Sequence, residues 1–234
     1  KKEKINGKKF IDGGVYNNLP VNLLVDKGYK DLILIRTHAM GIVKKMDLQD
    51  LNTIIISPKE DLGRVLDFDG DNARNNLKLG YFDGLKALRG LKGINYYIEF
   101  NRDEDYFMDY LLNLEGDQIL ELGKVVKVAS LSNRRSLFEF ILPKISSLLG
   151  IEKEGDYGDL FLTLLEKLAE IYEVEKFNIY TYDKLLDLVK LKLSLEVDEK
   201  MGVIDKIVEK VDILSLFTKE EIIKDIGRIL ILGK

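Results

Sequence analysis

An Asp followed by two Gly, residues 12–14, is the part of this sequence best suited to chemistry. The residues before it, KKFI, read as a short β-strand, so the Asp12 side chain emerges where that strand ends. Gly13 and Gly14 permit backbone conformations that other residues resist, and they leave room for a substrate to approach. Asp12 is therefore a candidate base at a rigid loop. The alternative, that Asp12 only caps a turn, stays open because Asp-Gly is a common turn dipeptide.

A carboxylate needs particular surroundings to act as a base. The pKa of a free Asp is about 3.9, so its carboxylate takes up a proton only weakly in water. It activates a serine hydroxyl where it is partly desolvated and lies within about 2.6–3.2 Å of that hydroxyl. Backbone N–H groups must also stabilise the oxyanion that forms. A catalytic role for Asp12 therefore requires a serine and an oxyanion-binding loop.

Three other groups of residues suggest chemistry less strongly. His38 is the only histidine and follows a predicted strand, where it suits either a Ser–His–Asp triad or local hydrogen bonds in a loop. The run DFDGDN, residues 67–72, lacks the Gly and Glu of a calcium loop, so we interpret it as a solvated helix cap. Arg134 and Arg135 suit an anionic lipid headgroup or, more simply, a solvated helix start.

The elements that position these residues differ along the chain. In the first part, KKFI, DLILIRT and NTIIIS predict strands, the last two buried on both faces. LPVNLLVDKGY predicts a helix that ends at Gly28, and the run of residues 69–88 predicts another with Leu77, Tyr81, Leu85 and Leu88 on one stripe. The second part predicts helices, including one with a stripe from Leu160 to Tyr172 and one with a Thr218–Glu221 capping box.

Charge and glycine divide the chain in the same place. Residues 1–93 hold 17 Lys and Arg against 12 Asp and Glu, whereas residues 94–234 hold 19 against 28. The first part also holds 11 of the 19 Gly. We predict two domains, an α/β domain in 1–93 and a helical region in 94–234, with residues 150–159 as the best candidate hinge.

Composition restricts the class of protein. The chain has no Cys, which excludes disulfides and thiolate chemistry and fits a cytoplasmic location, although secreted proteins can also lack Cys. The net charge of −4 argues against general nucleic-acid binding. No run is long and apolar enough to span a bilayer, and the basic first residues are not followed by an apolar signal region.

A longer pattern extends the Asp-Gly-Gly signal. The run FIDGGVYNNLPVNLL resembles the Asp-Gly-Gly segment of patatin-like phospholipases, in which a strand, a D-G-G loop and an N-x-P helix start follow one another. Asn18, Leu19 and Pro20 match that helix start. The resemblance continues through KGYKDLILIRTHAMG and the LGYFDGLKAL helix, and it covers about residues 8–90.

This resemblance implies a fold and a reaction. The fold is α/β: the C-terminal part of a three-layer α/β/α sandwich, followed here by a mostly helical region. The reaction is hydrolysis of lipid acyl esters by a Ser–Asp dyad, with Asp12 as the dyad Asp and Gly13 and Gly14 in the active-site loop. The implied partner is a lipid or acyl-ester substrate, with no metal or other cofactor.

The serine half of such a site is missing from the sequence. No G-x-S-x-G occurs, and Ser57, Ser130, Ser132, Ser146 and Ser147 are not on glycine-flanked strand-to-helix turns. The chain therefore resembles the C-terminal portion of a longer enzyme and is predicted to be inactive alone. An incomplete sheet exposes edges and apolar faces, so we expect a homo-oligomer, association with the missing N-terminal part, or a peripheral membrane contact. The alternative function is a non-catalytic interaction or regulatory module.

Overall fold

The computed structural model describes residues 3–10, 13–37, 48, 50–64, 69–128, 132–151, 155–204 and 218–233. The fold is mixed α/β. Contacts within the chain divide it into two compact units, Lys1–Leu91 and Lys92–Lys234. Each unit is described by itself. Within the described ranges, no helix combines the length and apolar character that a bilayer crossing requires.

The first unit combines short strands with one long helix. Its elements are β1 (Glu3–Ile5), β2 (Lys8–Phe10), a 3₁₀ turn (Gly13–Val15), α1 (Asn22–Val25), β3 (Asp31–Ile35), β4 (Asn52–Ile56) and α2 (Gly70–Arg89).

The strand predicted at KKFI is present as β2, but it pairs with β1 in an antiparallel hairpin. Asn6 and Gly7 form the turn with φ values of 51° and 78°. Positive φ at both central residues defines the turn type that matches the twist of a two-residue hairpin, and Asn-Gly favours it. Among the described strands β2 thus lies in a different sheet from β3, because this local turn signal decided the pairing.

β3 and β4 form a two-stranded parallel sheet in which Ile33 lies opposite Ile54. Both strands were predicted, but burial on both faces was wrong. Leu32 and Leu34 are buried, whereas Ile33 is 58% and Ile35 66% exposed. Val21, next to α1, packs with Leu32 and Leu34 on one face. No described element covers the other face of β3, which is why its isoleucines remain exposed.

The two predicted helices of this unit differ from their patterns. α1 has only four residues, and its following turn ends at Gly28, which adopts the expected left-handed conformation with φ 87°. α2 is present as a helix of 20 residues. Its stripe of Leu77, Tyr81, Leu85 and Leu88 does not form the buried face, because Leu77 is 75% and Tyr81 64% exposed while Leu79 is buried. Periodicity identified the helix, and packing chose another face.

The second unit is mainly helical. Its elements are β5 (Tyr97–Glu99), α3 (Glu104–Leu112), α4 (Gly116–Val125), α5 (Arg134–Ser136), a π-helical segment (Leu137–Ile141), α6 (Leu142–Leu149), α7 (Tyr157–Ile171), β6 (Ile179–Thr181), α8 (Tyr182–Ile204), α9 (Lys219–Gly227) and a second π-helical segment (Arg228–Leu232).

The helices of this unit enclose one large apolar core. The predicted stripe of α7 is confirmed, since Leu164, Leu165 and Leu168 are completely buried. The aromatic ring of Phe107 stacks on that of Phe161 at 4.9 Å between ring centroids, as expected for core aromatics. α9 begins with the predicted capping box, in which Thr218 and Glu221 exchange hydrogen bonds between side chain and backbone.

Two further expectations concern segments of this unit. The stretch KLKLSLEV, residues 190–197, alternates as a strand would, but the helical patterns on either side of it predict a helix, and it is part of α8. The predicted helix at VIDKIVEKVDIL lies largely outside the described residues. The candidate hinge at 150–159 lies inside the second unit and is itself only partly described.

Candidate functional site

The Asp-Gly-Gly segment follows the β1–β2 hairpin. Asp12 lies outside the described residues, as does His38. After it the chain enters the 3₁₀ turn that begins at Gly13. The Gly13 carbonyl accepts hydrogen bonds from the N–H groups of Tyr16 at 3.0 Å and Asn17 at 2.9 Å. These bonds fold the residues after Asp12 into a compact turn.

Asn17 holds this turn to the start of α1. Its side chain is among the few buried polar groups, with 6% of the residue exposed. Asn17 Oδ1 accepts from the Leu19 N–H at 3.2 Å, and Asn17 Nδ2 donates to Asn22 Oδ1 at 3.2 Å. The Asn-Leu-Pro turn is thus tied at both ends. The loop after Asp12 therefore has an ordered anchor five residues further on.

Gly13 has no close neighbours among the described residues. A Cβ built on Gly13 would meet none of their atoms within 4 Å, and its φ is not in the left-handed region. The local backbone would therefore accept another residue at this position. That a second loop or a substrate approaches Gly13 stays a prediction.

An apolar groove of about 290 Å³ begins at the same turn. Leu19 and Pro20 of the turn, Leu23 and Leu24 of α1, and the exposed edge of β3 form its walls. Its lining residues are Leu19, Pro20, Val21, Leu23, Leu24, Ile33, Leu34 and Ile35. A groove with this lining suits a hydrocarbon chain rather than a charged ligand.

The carboxyl ends of β3 and β4 lie at one sheet edge because the two strands are parallel. The Arg36 N–H donates to the Ile56 carbonyl at 2.8 Å, so Thr37 and Ser57 follow the last bonded pair. Ser57 is half-buried and precedes Pro58. This edge is where α/β sheets place ligands, but α2 begins only at Gly70 and so provides no sharp strand-to-helix turn at Ser57.

The remaining serines give no nucleophile site in the described part of the chain. Ser130 lies outside the described residues. Ser132 precedes the short α5, and Ser146 and Ser147 lie within α6. None of these three follows a strand, so none has the geometry of a nucleophile turn.

The DFDGDN run has the structural role that the sequence predicted. Asp69 caps α2 by accepting from the N–H groups of Asp71 at 2.7 Å and Asn72 at 3.0 Å. These two donors, with Asn72 the stronger, lower the pKa of the Asp69 carboxyl. Asp67 is outside the described residues. Over the described ranges no group of His, Cys, Asp or Glu is placed to hold a metal ion.

The two arginines of NRRS are held by the protein itself. Arg134 Nη1 donates to the Leu114 carbonyl at 2.5 Å, and Arg135 Nε lies 2.9 Å from Glu139 Oε2. The Asn133 side chain caps α5 by accepting from the Ser136 N–H at 2.8 Å. These contacts support the interpretation as a helix start.

A buried carboxylate that the sequence analysis missed lies in the second unit. Glu166, on α7, is 3% exposed. It accepts backbone N–H groups from Ile94, Asn95 and Tyr96 at 2.7–2.9 Å. A Cβ at Gly93, whose φ is 97°, would lie 2.7 Å from Glu166 Oε1. All these contacts are internal, so Glu166 anchors the loop before β5. The available signal in the sequence was a single Glu on the apolar face of α7, with Leu162 four residues before it and Ala169 three residues after it.

A second polar cluster joins three helical segments. Tyr172 donates its hydroxyl proton to Glu196, and Lys224 Nζ donates to the same carboxylate at 3.1 Å. Arg228 Nη2 lies 3.4 Å from Glu196 Oε2, and Arg228 Nη1 donates to Asp225. Burial, followed by the bond to Glu196, raises the pKa of Tyr172. Because the members are far apart in sequence, no local motif predicts this cluster.

Beside this cluster lies a cavity of about 330 Å³ between α4 and the α9 region. Glu121 and Lys124 line it from α4, and Asp225 and Arg228 line it from the other side. The two positive and two negative groups leave no net charge for an ionic ligand. Comparison of the chain with protein-family models, curated proteins and solved structures finds no match.

Proposed function

We propose that this chain contributes the Asp half of a lipid acyl-ester hydrolase with a Ser–Asp dyad. Asp12 is the proposed base, and Gly13 and Gly14 belong to the active-site loop. The observation that carries the proposal is the run FIDGGVYNNLP, which resembles the patatin-like phospholipases and leads into a turn anchored by the buried Asn17. A three-layer α/β/α sandwich completed by further strands is part of the same proposal.

The groove beside α1 supports a lipid substrate. It starts at Leu19, seven residues after Asp12, and nearly all its surface is hydrocarbon. Transfer of an acyl chain from water into such a groove is favourable at roughly 25 cal/mol per Å² of apolar surface removed from water. An ester whose acyl chain lies in this groove would have its carbonyl towards the turn that follows Asp12.

The chemistry follows from the roles of the two residues. Asp12 accepts the proton of a serine hydroxyl as the serine oxygen attacks the ester carbonyl. The alcohol leaves with a proton, and water then hydrolyses the acyl-enzyme and regenerates the serine. Backbone N–H groups near the carbonyl stabilise the oxyanion in both steps. The serine comes from a polypeptide segment with G-x-S-x-G, which these 234 residues do not contain.

Turnover of a nitrophenyl ester tests the proposal. We expect no hydrolysis by the 234-residue chain alone, and hydrolysis by the product of the whole gene. Asp12→Asn should abolish that hydrolysis, whereas Asp26→Asn, at an exposed position after α1, should leave it unchanged. Turnover by the 234-residue chain that Asp12→Asn does not reduce would contradict the proposal, as would full activity of the Asp12→Asn gene product.

A non-catalytic module is the second candidate, and the core of the second unit favours it. Twenty-nine described apolar residues form one buried cluster in this unit, enough for it to fold without help from the first. We expect residues 92–234 alone to unfold in one cooperative transition in urea. If they do so and the whole-gene product hydrolyses no ester, the module is the better description.

A further inference from the structure

The β1–β2 hairpin has two chemically distinct faces. In its register Lys4 lies opposite Lys9, and Ile5 lies opposite Lys8. Because side chains alternate along a strand, Glu3, Ile5, Lys8 and Phe10 share one face, and Lys4 and Lys9 share the other. One face therefore has two apolar residues and one charge of each sign, and the other face has two Lys.

Both apolar side chains of the hairpin are exposed. Ile5 is 57% exposed and Phe10 48% exposed, and Lys8 beside them is also exposed. A two-stranded hairpin is marginally stable in water unless another surface covers one of its faces. The exposed apolar pair thus indicates a binding surface rather than a hairpin that is complete by itself.

The cationic face favours an anionic partner. Residues 1–10 hold five Lys and one Glu, a charge of +4, although the whole chain carries −4. Lys4 and Lys9 lie directly opposite each other, and like charges in that position destabilise a hairpin. An anionic surface removes that repulsion. Charge complementarity and exposed apolar side chains together are the requirements for binding at the surface of an anionic membrane.

We infer that the β1–β2 hairpin binds the surface of an anionic lipid bilayer. Ile5 and Phe10 enter the boundary between headgroups and acyl chains, and Lys8 on the same face binds lipid phosphates and carboxylates. Lys4 and Lys9 on the opposite face add to the positive potential that attracts the hairpin to the anionic surface. The choice of a lipid surface rests on the proposed function, because β2 ends two residues before Asp12. The hairpin then holds the dyad Asp next to the layer that contains the ester.

Vesicle sedimentation with the 234-residue chain tests this inference. We expect binding to vesicles of phosphatidylcholine and phosphatidylserine in equal parts, weak binding to phosphatidylcholine alone, and loss of binding at about 1 M salt. The double variant Lys4→Glu, Lys9→Glu should weaken binding roughly tenfold or more. The control Lys144→Glu, Lys192→Glu, at exposed positions of the second unit, makes the same charge change and should bind as the unaltered chain.

Fluorescence locates the contact, because the chain has no Trp. Phe10→Trp should shift its emission to the blue with anionic vesicles and should be quenched by brominated acyl chains. Phe140→Trp, at a site of similar exposure in the second unit, should show neither change. Equal binding to both vesicle types, equal binding of the two double variants, or a concentration-dependent mass that the hairpin variants abolish would overturn the inference.

The vesicle-binding experiment does not depend on ester hydrolysis. Asp12→Asn should leave vesicle binding unchanged while it abolishes ester turnover by the whole-gene product. Failure of turnover with intact vesicle binding therefore contradicts only the proposed function. Turnover of a water-soluble ester with no vesicle binding contradicts only the hairpin inference.

Discussion

The two units of this protein differ in how much of their apolar surface they bury. In the second unit, 29 described residues form one buried cluster, whereas the corresponding cluster of the first unit contains Val21, Leu32 and Leu34. Meanwhile the first unit exposes large apolar side chains on its hairpin, on α1 and on β3. The second unit is complete by this measure. The first unit leaves much of the apolar surface of its described residues exposed.

The comparison agrees with the general behaviour of parallel sheets. Such sheets occur with both faces covered, because their strands are apolar on both sides. β3 carries that apolar pattern, with leucines on one face and isoleucines on the other, yet only its leucines are buried. The residue types of the first unit therefore indicate a more covered environment than its described residues provide.

The largest expected effect is the loss of a core aromatic from the second unit. Phe107, 1% exposed, contacts the rings of Phe100, Phe161 and Tyr182. Phe107→Ala should lower the free energy of unfolding by about 3–5 kcal/mol in urea titrations. The control Phe140→Ala, at a 52% exposed site, should change it by less than about 0.5 kcal/mol. Similar effects of the two substitutions would show that this core does not carry the stability.

The buried carboxylate of the second unit should have the next largest effect. Glu166→Gln keeps the size of the side chain but replaces one acceptor oxygen by an amide donor that faces backbone N–H groups. We expect a loss of about 3 kcal/mol in the free energy of unfolding. The control Glu121→Gln, at an exposed position of α4, should lose less than about 1 kcal/mol. Equal losses would contradict the anchoring role of Glu166.

The anchor of the Asp-Gly-Gly turn should have a smaller and local effect. Asn17→Ala removes the side-chain hydrogen bonds to Leu19 and Asn22 and should destabilise the turn by about 1–2 kcal/mol. Faster hydrogen exchange of the Leu19 amide measures this loss. Asn22→Ala removes only the partner of Asn17 Nδ2, so it should accelerate that exchange less. Unchanged exchange in Asn17→Ala would mean that the turn is held elsewhere.

The smallest expected effect is alkaline destabilisation of the second unit. Burial raises the pKa of Tyr96, Tyr172 and Tyr182, so these tyrosines stay protonated in the folded state where unfolded tyrosines ionise. The stability that these protonated tyrosines contribute is fully present below the unfolded pKa of about 10. It is lost as the pH rises towards the pKa values of the folded state. The thermal midpoint should change little up to about pH 9 and should fall by a few degrees between about pH 9 and about pH 10.5.

Tyr182→Phe provides the control for this pH dependence. The substitution removes one of the buried tyrosine hydroxyls whose pKa is raised, so the midpoint should fall less steeply than in the unaltered protein. Circular dichroism at a helical wavelength follows the transition in both proteins. An identical slope in Tyr182→Phe would mean that Tyr182 does not contribute to the alkaline loss.

Local sequence patterns predicted helices and strands well, but they predicted poorly which segments pack or pair with one another. The capping box of α9, the Gly28 stop and the buried stripe of α7 were predicted because each depends on residues within a few turns of one another. Leu77, Tyr81 and Leu88 on α2 are exposed although they lie at helical spacing, because periodicity shows that a helix is amphipathic but not which neighbours are present. Asp69 was correctly interpreted as a cap, since capping is also local.

The sequence by itself determined α2, α7 and α9, the strands β2, β3 and β4, and the Asp-Gly-Gly run on which the proposed function depends. Only the tertiary structure decided that β2 pairs with β1, that β5 pairs with β6, and that Glu166 receives three backbone N–H groups from a loop some 70 residues away. Propensities and caps act over a few residues of chain. Strand pairing and burial depend on which distant segments contact one another, and local patterns in a single sequence do not show these contacts.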